Sequence, residues 1–389
     1  MFGISFTLTI LIVLTAFIDH LVNAGYPEGK RDRSLYINTV RLEHSEKHYI
    51  NSGSPSYYFL DKYAKPLKTP EKIAIASLFT ATNAYVNNKK LVINLKYTDD
   101  AYWDVTDYVF LEGKPFTKQQ IDNSDKVAVI TEGTRKQYFG DVTNVVGKYI
   151  ETDNVQYRVQ GVVKNVPITM LFAYADMYLP YTVSKADYRS KVYTGGYFAI
   201  LLARSKSDIP KIQAEFAGII SKVPTNSKEF DLLFCHADTY TGSIIRQIFG
   251  DGDNSGKNIL LLVVSIFLLF FMLLPTLNLV NINISRIMER SSEIGVRKAF
   301  GASSKTLVGQ FVVENIILTF IGSVLGIIFS VIILAIINNS QLIPDAYLSV
   351  NLNVLFLSLV TCLVFGLLSG VYPAWRMSKL HVVTALKAQ

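Results

Sequence analysis

Four runs of the chain, residues 1–18, 258–285, 316–337 and 352–375, contain no Lys, Arg, Asp or Glu. A helix needs about 20 residues to cross the roughly 30 Å hydrocarbon core of a bilayer, and each run meets or nearly meets that length. Buried helices of water-soluble proteins seldom stay uncharged for so long. The chain as a whole is 50% hydrophobic and only 18% charged, which fits a membrane protein better than a soluble one. Four transmembrane helices are therefore expected.

Residues 25–257, between the first and second runs, hold 30 of the 38 Lys and Arg and 26 of the 31 Asp and Glu. A segment of this kind faces water and is long enough for one substantial core or two small ones. Its basic residues are interspersed with acidic ones rather than gathered in a block, so no nucleic acid partner is expected. Of the cysteines, Cys235 lies in this segment and Cys362 in the last apolar run. They are not placed to form a disulfide with each other.

Orientation follows from the short loops, because Lys and Arg accumulate on the cytoplasmic side. Residues 286–305 contain Arg286, Arg290, Arg297, Lys298 and Lys305, residues 338–351 contain neither Lys nor Arg, and the tail adds Arg376, Lys379 and Lys387. The expected order is a first transmembrane helix (1–24), an extracytoplasmic domain (25–257), a second helix (258–285), a cytoplasmic loop (286–305), a third helix (306–337), an outer loop (338–351), a fourth helix (352–375) and a cytoplasmic tail (376–389). Small residues at Val22-Asn23-Ala24 leave a cleaved signal peptide as an alternative to a retained first helix. The domain lies outside under either reading.

The outer segment reads as mixed α and β. Val155-Gln156-Tyr157-Arg158-Val159-Gln160 alternates apolar with polar residues, the period of a half-buried strand. Residues 127–130, 145–150 and 197–203 are expected to be further strands. Asp208 before Ile209-Pro210 reads as a helix start, with the carboxylate capping free amides and Pro tolerated in the first turn. The helix that follows would bury Ile212, Phe216, Ile219 and Ile220. Within the third and fourth runs, the pairs Gly322/Gly326 and Gly366/Gly370 put small residues on one helix face, a pattern that lets helices pack closely. Pro275 is expected to kink the second run.

No catalytic constellation emerges. A phosphate-binding Walker A loop needs Gly-x-x-x-x-Gly-Lys-Ser/Thr, and the nearest approach, at residues 250–258, ends in Asn258 and reads as a linker. His44 and His48 have a metal-compatible spacing if helical, but no third ligand suggests itself. Neither a metal nor a cofactor bound by this chain is expected, and it is read as a non-enzyme.

The most informative stretch is the basic loop. Arg286/Arg290 and Glu293/Arg297 are spaced four apart, and Ile287, Met288 and Ile294 supply an apolar side, so an amphipathic helix at the membrane surface is one reading. The sequence from Arg290 through Glu293-Ile294-Gly295-Val296-Arg297-Lys298-Ala299-Phe300-Gly301-Ala302-Ser303 resembles the cytoplasmic signature of FtsX-like and MacB-like ABC permeases. The resemblance extends to Phe311 and Glu314, to Gly322 and Gly326, and to Tyr372-Pro373-Ala374-Trp375-Arg376 with Ala385-Leu386-Lys387. In the outer segment, Val127-Ala128-Val129-Ile130, Tyr138-Phe139-Gly140 with Val146-Gly147-Lys148, and residues 159–167 through Asn165-Val166-Pro167 resemble the MacB-type periplasmic core.

That resemblance implies a permease subunit in a bacterial inner membrane. A separate ABC ATPase subunit would bind ATP and Mg. The permease would form a homodimer, or a heterodimer with a related permease, and a periplasmic adaptor or envelope protein would be a further partner. In the family the helical loop docks on the ATPase, and closure driven by ATP is passed to the periplasmic domains. By analogy, Arg290, Glu293, Gly295, Arg297, Lys298 and Gly301 are assigned to ATPase coupling, and Gly322, Gly326, Gly366 and Gly370 to helix packing. Such permeases generally carry a cytoplasmic segment before the first span, whereas here the apolar run starts at once. The expected function is export or extraction of a peptide, lipid, lipoprotein or drug by mechanotransmission. A regulator of an extracellular cell-wall hydrolase, or a membrane-anchored binding protein without an ATPase, stands as the alternative.

Overall fold

The computed structural model describes residues 2–249 apart from 48, 87–88, 226–228, residues 300–352 apart from 302, and scattered positions within 262–297 and 355–367. The chain divides into two compact units. One comprises Met1–His20, Asn258–Leu342 and Tyr347–Gln389, and the other comprises Leu21–Lys257 with Ile343–Ala346.

In the first unit, two described helices are long and apolar enough to cross a bilayer, at Gly3–Val22 and Val312–Ser340. Thr7, Thr9 and Thr15 turn their hydroxyls back onto the carbonyls of Gly3, Ser5 and Leu11 at 2.6–2.7 Å, which satisfies polar groups where no water is at hand. The second of these apolar segments belongs to a longer helix, Ser304–Ser340. At 1.5 Å per residue its 37 residues extend about 55 Å, well beyond the hydrocarbon thickness. Ser303 starts it by accepting the Thr306 amide at 3.2 Å, and Gln341, in left-handed geometry, ends it. The Asn338 side chain then pairs both ways with the Leu348 backbone at 2.9 Å, closing the turn that follows.

The two helices meet on small residues. Thr319, Gly322, Ser323, Gly326 and Ser330 are buried along the long helix, and Ile4, Ser5, Leu8, Thr9 and Ile12 along the N-terminal one. A Cβ on Gly326 would lie 3.0 Å from both Leu8 Cβ and Ser5 O. Thr9 Oγ1 reaches Gly326 O at 3.1 Å. Glycine at 326 therefore sets how closely the backbones approach. Gly366 and Gly370 lie outside the described residues, as does Pro275.

The second unit, called the outer unit after the segment expected to lie outside, is built on one large mixed sheet. From edge to edge its strands are Asp238–Thr239, Ser34–Ile37, Tyr197–Leu202, Lys72–Ser77, Lys89–Thr98, Met177–Pro180, Val127–Thr131, Val155–Val163 and Phe110–Gly113. Thr80–Val86 pairs with Lys89–Thr98, and Tyr149–Thr152 pairs with Val155–Val163. Both faces are covered, which is why strands such as Val127–Thr131 read as continuous apolar runs. Alternate residues feed different cores: Leu35, Ile75 and Leu201 join Phe59 and Phe216, while Tyr36, Ala76 and Phe198 join Tyr102 and Phe172. Ala128 and Ile130 enter a third core with Ile93, Val159 and Leu179. A small sheet of Leu232–Cys235, Val40–His44 and Tyr49–Gly53 completes the unit.

Three local expectations meet a different outcome. Residues 145–150 do not form one strand, because Gly147, at φ +87°, turns the chain and the strand begins only at Tyr149. The Val155–Val163 strand alternates only at its start and is fully buried at its end, where neighbours cover both faces. The helix Ile209–Ile220 carries Pro210 in its first turn and buries Ile212, Phe216 and Ile220 as read, but Asp208 does not cap it. Its carboxylate is taken by the Ser205 hydroxyl and by Lys211, each at 2.9 Å. His44 lies in a strand and His48 outside the described residues; among the described residues no cluster of His, Cys, Asp or Glu could hold a metal.

Candidate functional site

The basic loop forms a corner between two helical segments. Glu289, Glu293, Val296 and Arg297 are helical, and the Phe300 amide still donates to Val296 O at 3.1 Å. Gly301 then takes φ +91°, a conformation that L side chains seldom adopt and that commonly ends a helix. Two residues later Ser303 caps the helix Ser304–Ser340. The reversal thus has two chemical causes, a residue free to adopt left-handed geometry and a hydroxyl that satisfies a free amide.

Side chains brace the corner. Arg297 Nη2 pairs with Glu293 Oε1 one turn earlier, at 2.5 Å, and Arg297 Nη1 donates to Gln310 Oε1 on the following helix at 2.9 Å. The guanidinium fork suits this double engagement, since its donors diverge in one plane. Glu293 and Arg297 remain about half exposed. Beside them Val296 is 47% exposed and Phe300 89% exposed. An aromatic ring left this open beside an ordered charge pair is surface, not core.

Of the residues assigned to coupling, the corner brings together Glu293, Arg297 and Gly301, and Arg290, Gly295 and Lys298 lie outside the described residues. Gln310 and Phe300 were not singled out from sequence. Phe300 stood inside the quoted motif, and its position just before Gly301 was an available signal. Gln310 had none, because its tie to Arg297 depends on how the corner folds. Gly326 packs on the N-terminal helix, and Gly322 is buried one turn earlier along the same helix.

Two family models match this chain. The MacB-like periplasmic core domain covers residues 1–219, and the FtsX-like permease C-terminal region covers residues 265–382. The macrolide export ATP-binding/permease protein MacB of Acinetobacter baylyi is 26% identical over 364 residues, covering 92% of this chain and 52% of that protein. The ABC transporter permease YknZ of Bacillus subtilis is 24% identical over 360 residues, covering 90% of this chain and 85% of that one. Among solved structures, the periplasmic region of MacB from Actinobacillus actinomycetemcomitans aligns at 17% identity with a TM-score of 0.38, over 58% of this chain and 98% of that one. This chain spans about half the length of the MacB relatives it matches. With one model covering more than half of the sequence and the other most of the remainder, the chain belongs to the family that joins a MacB-like periplasmic core domain to an FtsX-like permease C-terminal region.

Proposed function

We propose that this chain is the permease subunit of an ABC-type assembly in a bacterial inner membrane, with four transmembrane helices and its outer unit on the extracytoplasmic side. An ATPase subunit binds ATP and Mg and docks on the corner at Glu293–Ser303. Two permeases, identical or related, carry the resulting movement to their outer units, which act on an envelope substrate such as a peptide, lipid, lipoprotein or drug. The MacB relatives are named for macrolide export.

The observation that carries the reading is the exposed Phe300 ring beside the braced Glu293–Arg297–Gln310 chain. A surface helix needing only lipid contact would gain little from an ordered ion pair that solvent screens. A docking face gains specificity and fixed geometry from it.

The test exchanges the two charges, Glu293→Arg with Arg297→Glu. The exchange keeps the spacing of the pair and reverses the polarity it presents. Tagged full-length chain is purified from native membranes in mild detergent, and vanadate-sensitive phosphate release is measured. The unaltered protein should bring down ATPase activity, and the exchanged variant should lose it. Equal activity from both would overturn the docking assignment.

A further inference from the structure

The outer unit is entered and left by the chain at two places. Leu21–Asn23 bring it in from the N-terminal helix, and the helix Tyr240–Phe249 leads it out towards the second apolar run. One side chain touches both. Arg31 Nη1 donates to the carbonyls of Asn23 at 2.8 Å, Leu21 at 3.2 Å and Val22 at 3.4 Å. The last carbonyls of a helix have no partner within it, so this guanidinium satisfies groups that would otherwise be stranded.

The flat face of the same guanidinium meets the exit. Arg31 Cζ lies 3.7 Å from the centroid of the Tyr240 ring, the first residue of the outgoing helix. That helix is held a second time by Arg246, whose Nε and Nη2 grip the Asp238 carboxylate at 2.6 and 3.0 Å. Arg31 is itself fixed from behind, because Nε and Nη2 both go to Glu28 Oε2, and Nη2 also meets Met170 Sδ at 2.8 Å. Arg31 and Glu28 are 5% and 3% exposed, and Glu28 Oε1 is buried with no hydrogen-bond partner among the described residues.

A buried ion pair of this kind contributes little net stability, since desolvation offsets most of the attraction and an apolar replacement often does as well. Its geometry, however, is one that no apolar residue can supply. Only a planar cation with diverging donors can take three carbonyls, a carboxylate and an aromatic face together.

We propose that Arg31 is a positioning residue that fastens the incoming and outgoing connections of the outer unit to each other, so that displacement of either apolar segment reaches the large sheet as one movement instead of being absorbed in loose linkers. This role deepens the mechanotransmitting function proposed above and rests on it for its purpose, but the clasp itself is a property of the chain alone.

The experiment uses full-length protein in lipid nanodiscs, with Cys235 and Cys362 replaced by Ala and spin labels at Val22→Cys and Ile248→Cys, both exposed positions at the two connections. The label-to-label distance distribution should be narrow in the parent and lose its narrow peak in Arg31→Lys, which still neutralises Glu28 but cannot reach all the partners. Glu28→Gln with Arg31→Met removes both buried charges and should broaden the distribution too. Its urea midpoint, followed by Trp103 fluorescence in a Trp375→Phe background, should fall only modestly, because the Leu21, Val22 and Asn23 carbonyls lose a donor while no half of the ion pair is left buried alone. An unchanged narrow peak in both variants overturns the clasp, as does a lowered midpoint without broadening. A peak that depends on Arg31 in a protein that brings down no ATPase activity sinks the ATP-driven function and leaves the clasp standing.

Discussion

Asn165 joins two distant pieces of the outer unit through one amide, donating from Nδ2 to Asp345 Oδ1 at 2.9 Å and accepting the Gly133 N–H on Oδ1 at 2.7 Å. Gly133 belongs to the first turn of the helix Glu132–Phe139, where backbone amides lack partners inside the helix. Asp345 belongs to Ile343–Ala346, which packs with the outer unit although it lies between two apolar runs. The chain therefore returns to the outer unit at a third place besides its entry and exit.

Asn165→Ala should cost about 1 kcal/mol of outer-unit stability, the usual scale for a lost hydrogen bond that leaves a backbone donor unpaired. Asp345→Gly, at an exposed site whose φ of +61° glycine adopts freely, should cost about 0.5 kcal/mol or less. Urea unfolding of the two single variants and the double variant gives the coupling directly. Equal costs for the two single variants would show that the Gly133 contact contributes nothing.

Two glycines of the same helix should respond in opposite directions. Gly326→Ala drives a methyl group to 3.0 Å from Leu8 Cβ and Ser5 O, and overpacking of this kind costs about 1–3 kcal/mol. Gly309 is exposed with nothing near its missing Cβ, so Gly309→Ala should gain up to about 1 kcal/mol from helix propensity. Unfolding midpoints in mixed detergent check both, and a neutral Gly326→Ala would mean that the helices do not meet there in the membrane.

Much of this architecture is legible in one dimension, and the reasons are specific. The uncharged runs at 1–18 and 316–337 announce the two described apolar helices because charge is so costly in hydrocarbon, and the strands at Val127–Thr131 and Tyr197–Leu202 stand out as short apolar blocks. Sheet order is not legible, because pairings such as Met177 with Leu95 join residues far apart in sequence. Residues 145–150 mislead through β-branched composition that Gly147 overrules. Glu293 and Arg297 are visible by their spacing, whereas the Arg297–Gln310 tie and the Arg31 clasp need the folded backbone. Lys96 is invisible for a related reason: a lysine inside a strand reads as solvent-facing, yet it is fully buried here.

That buried lysine should leave a pH signature. Its ammonium has the Ser77 carbonyl at 3.1 Å and the Phe198 ring at 5.1 Å. Burial pushes its pKa down to about 7 from 10.5, against the opposing pull of Glu28. Between those two values the unfolded chain holds a proton that the folded one has released, so stability rises with pH across that window. Below about pH 7 the full penalty of burying the charge applies. Lys96→Met should therefore stabilise the outer unit by about 1–3 kcal/mol near neutral pH. Its advantage over the parent should shrink as pH climbs towards 10.5. Chemical denaturation at a series of pH values measures this, and an advantage that grew with pH would refute the assignment.

Phe300 and Gly301 separate surface from scaffold at the corner. Phe300 is 89% exposed, so Phe300→Ala removes no packing and should leave the unfolding midpoint within about 0.5 kcal/mol of the parent. If the ring is an anchor for the ATPase, the same change should cost about 1.4 kcal/mol or more of association, which lowers the affinity about tenfold. Gly301→Ala acts differently. It forces a side chain into φ +91°, at a cost of about 1–3 kcal/mol of strain, so it should lower both stability and recovered ATPase activity. Measuring vanadate-sensitive phosphate release alongside the unfolding midpoint tells the two apart. Phe300→Ala that kept full activity would remove the aromatic ring from the docking face, even if the charge exchange at Glu293 and Arg297 still broke the complex.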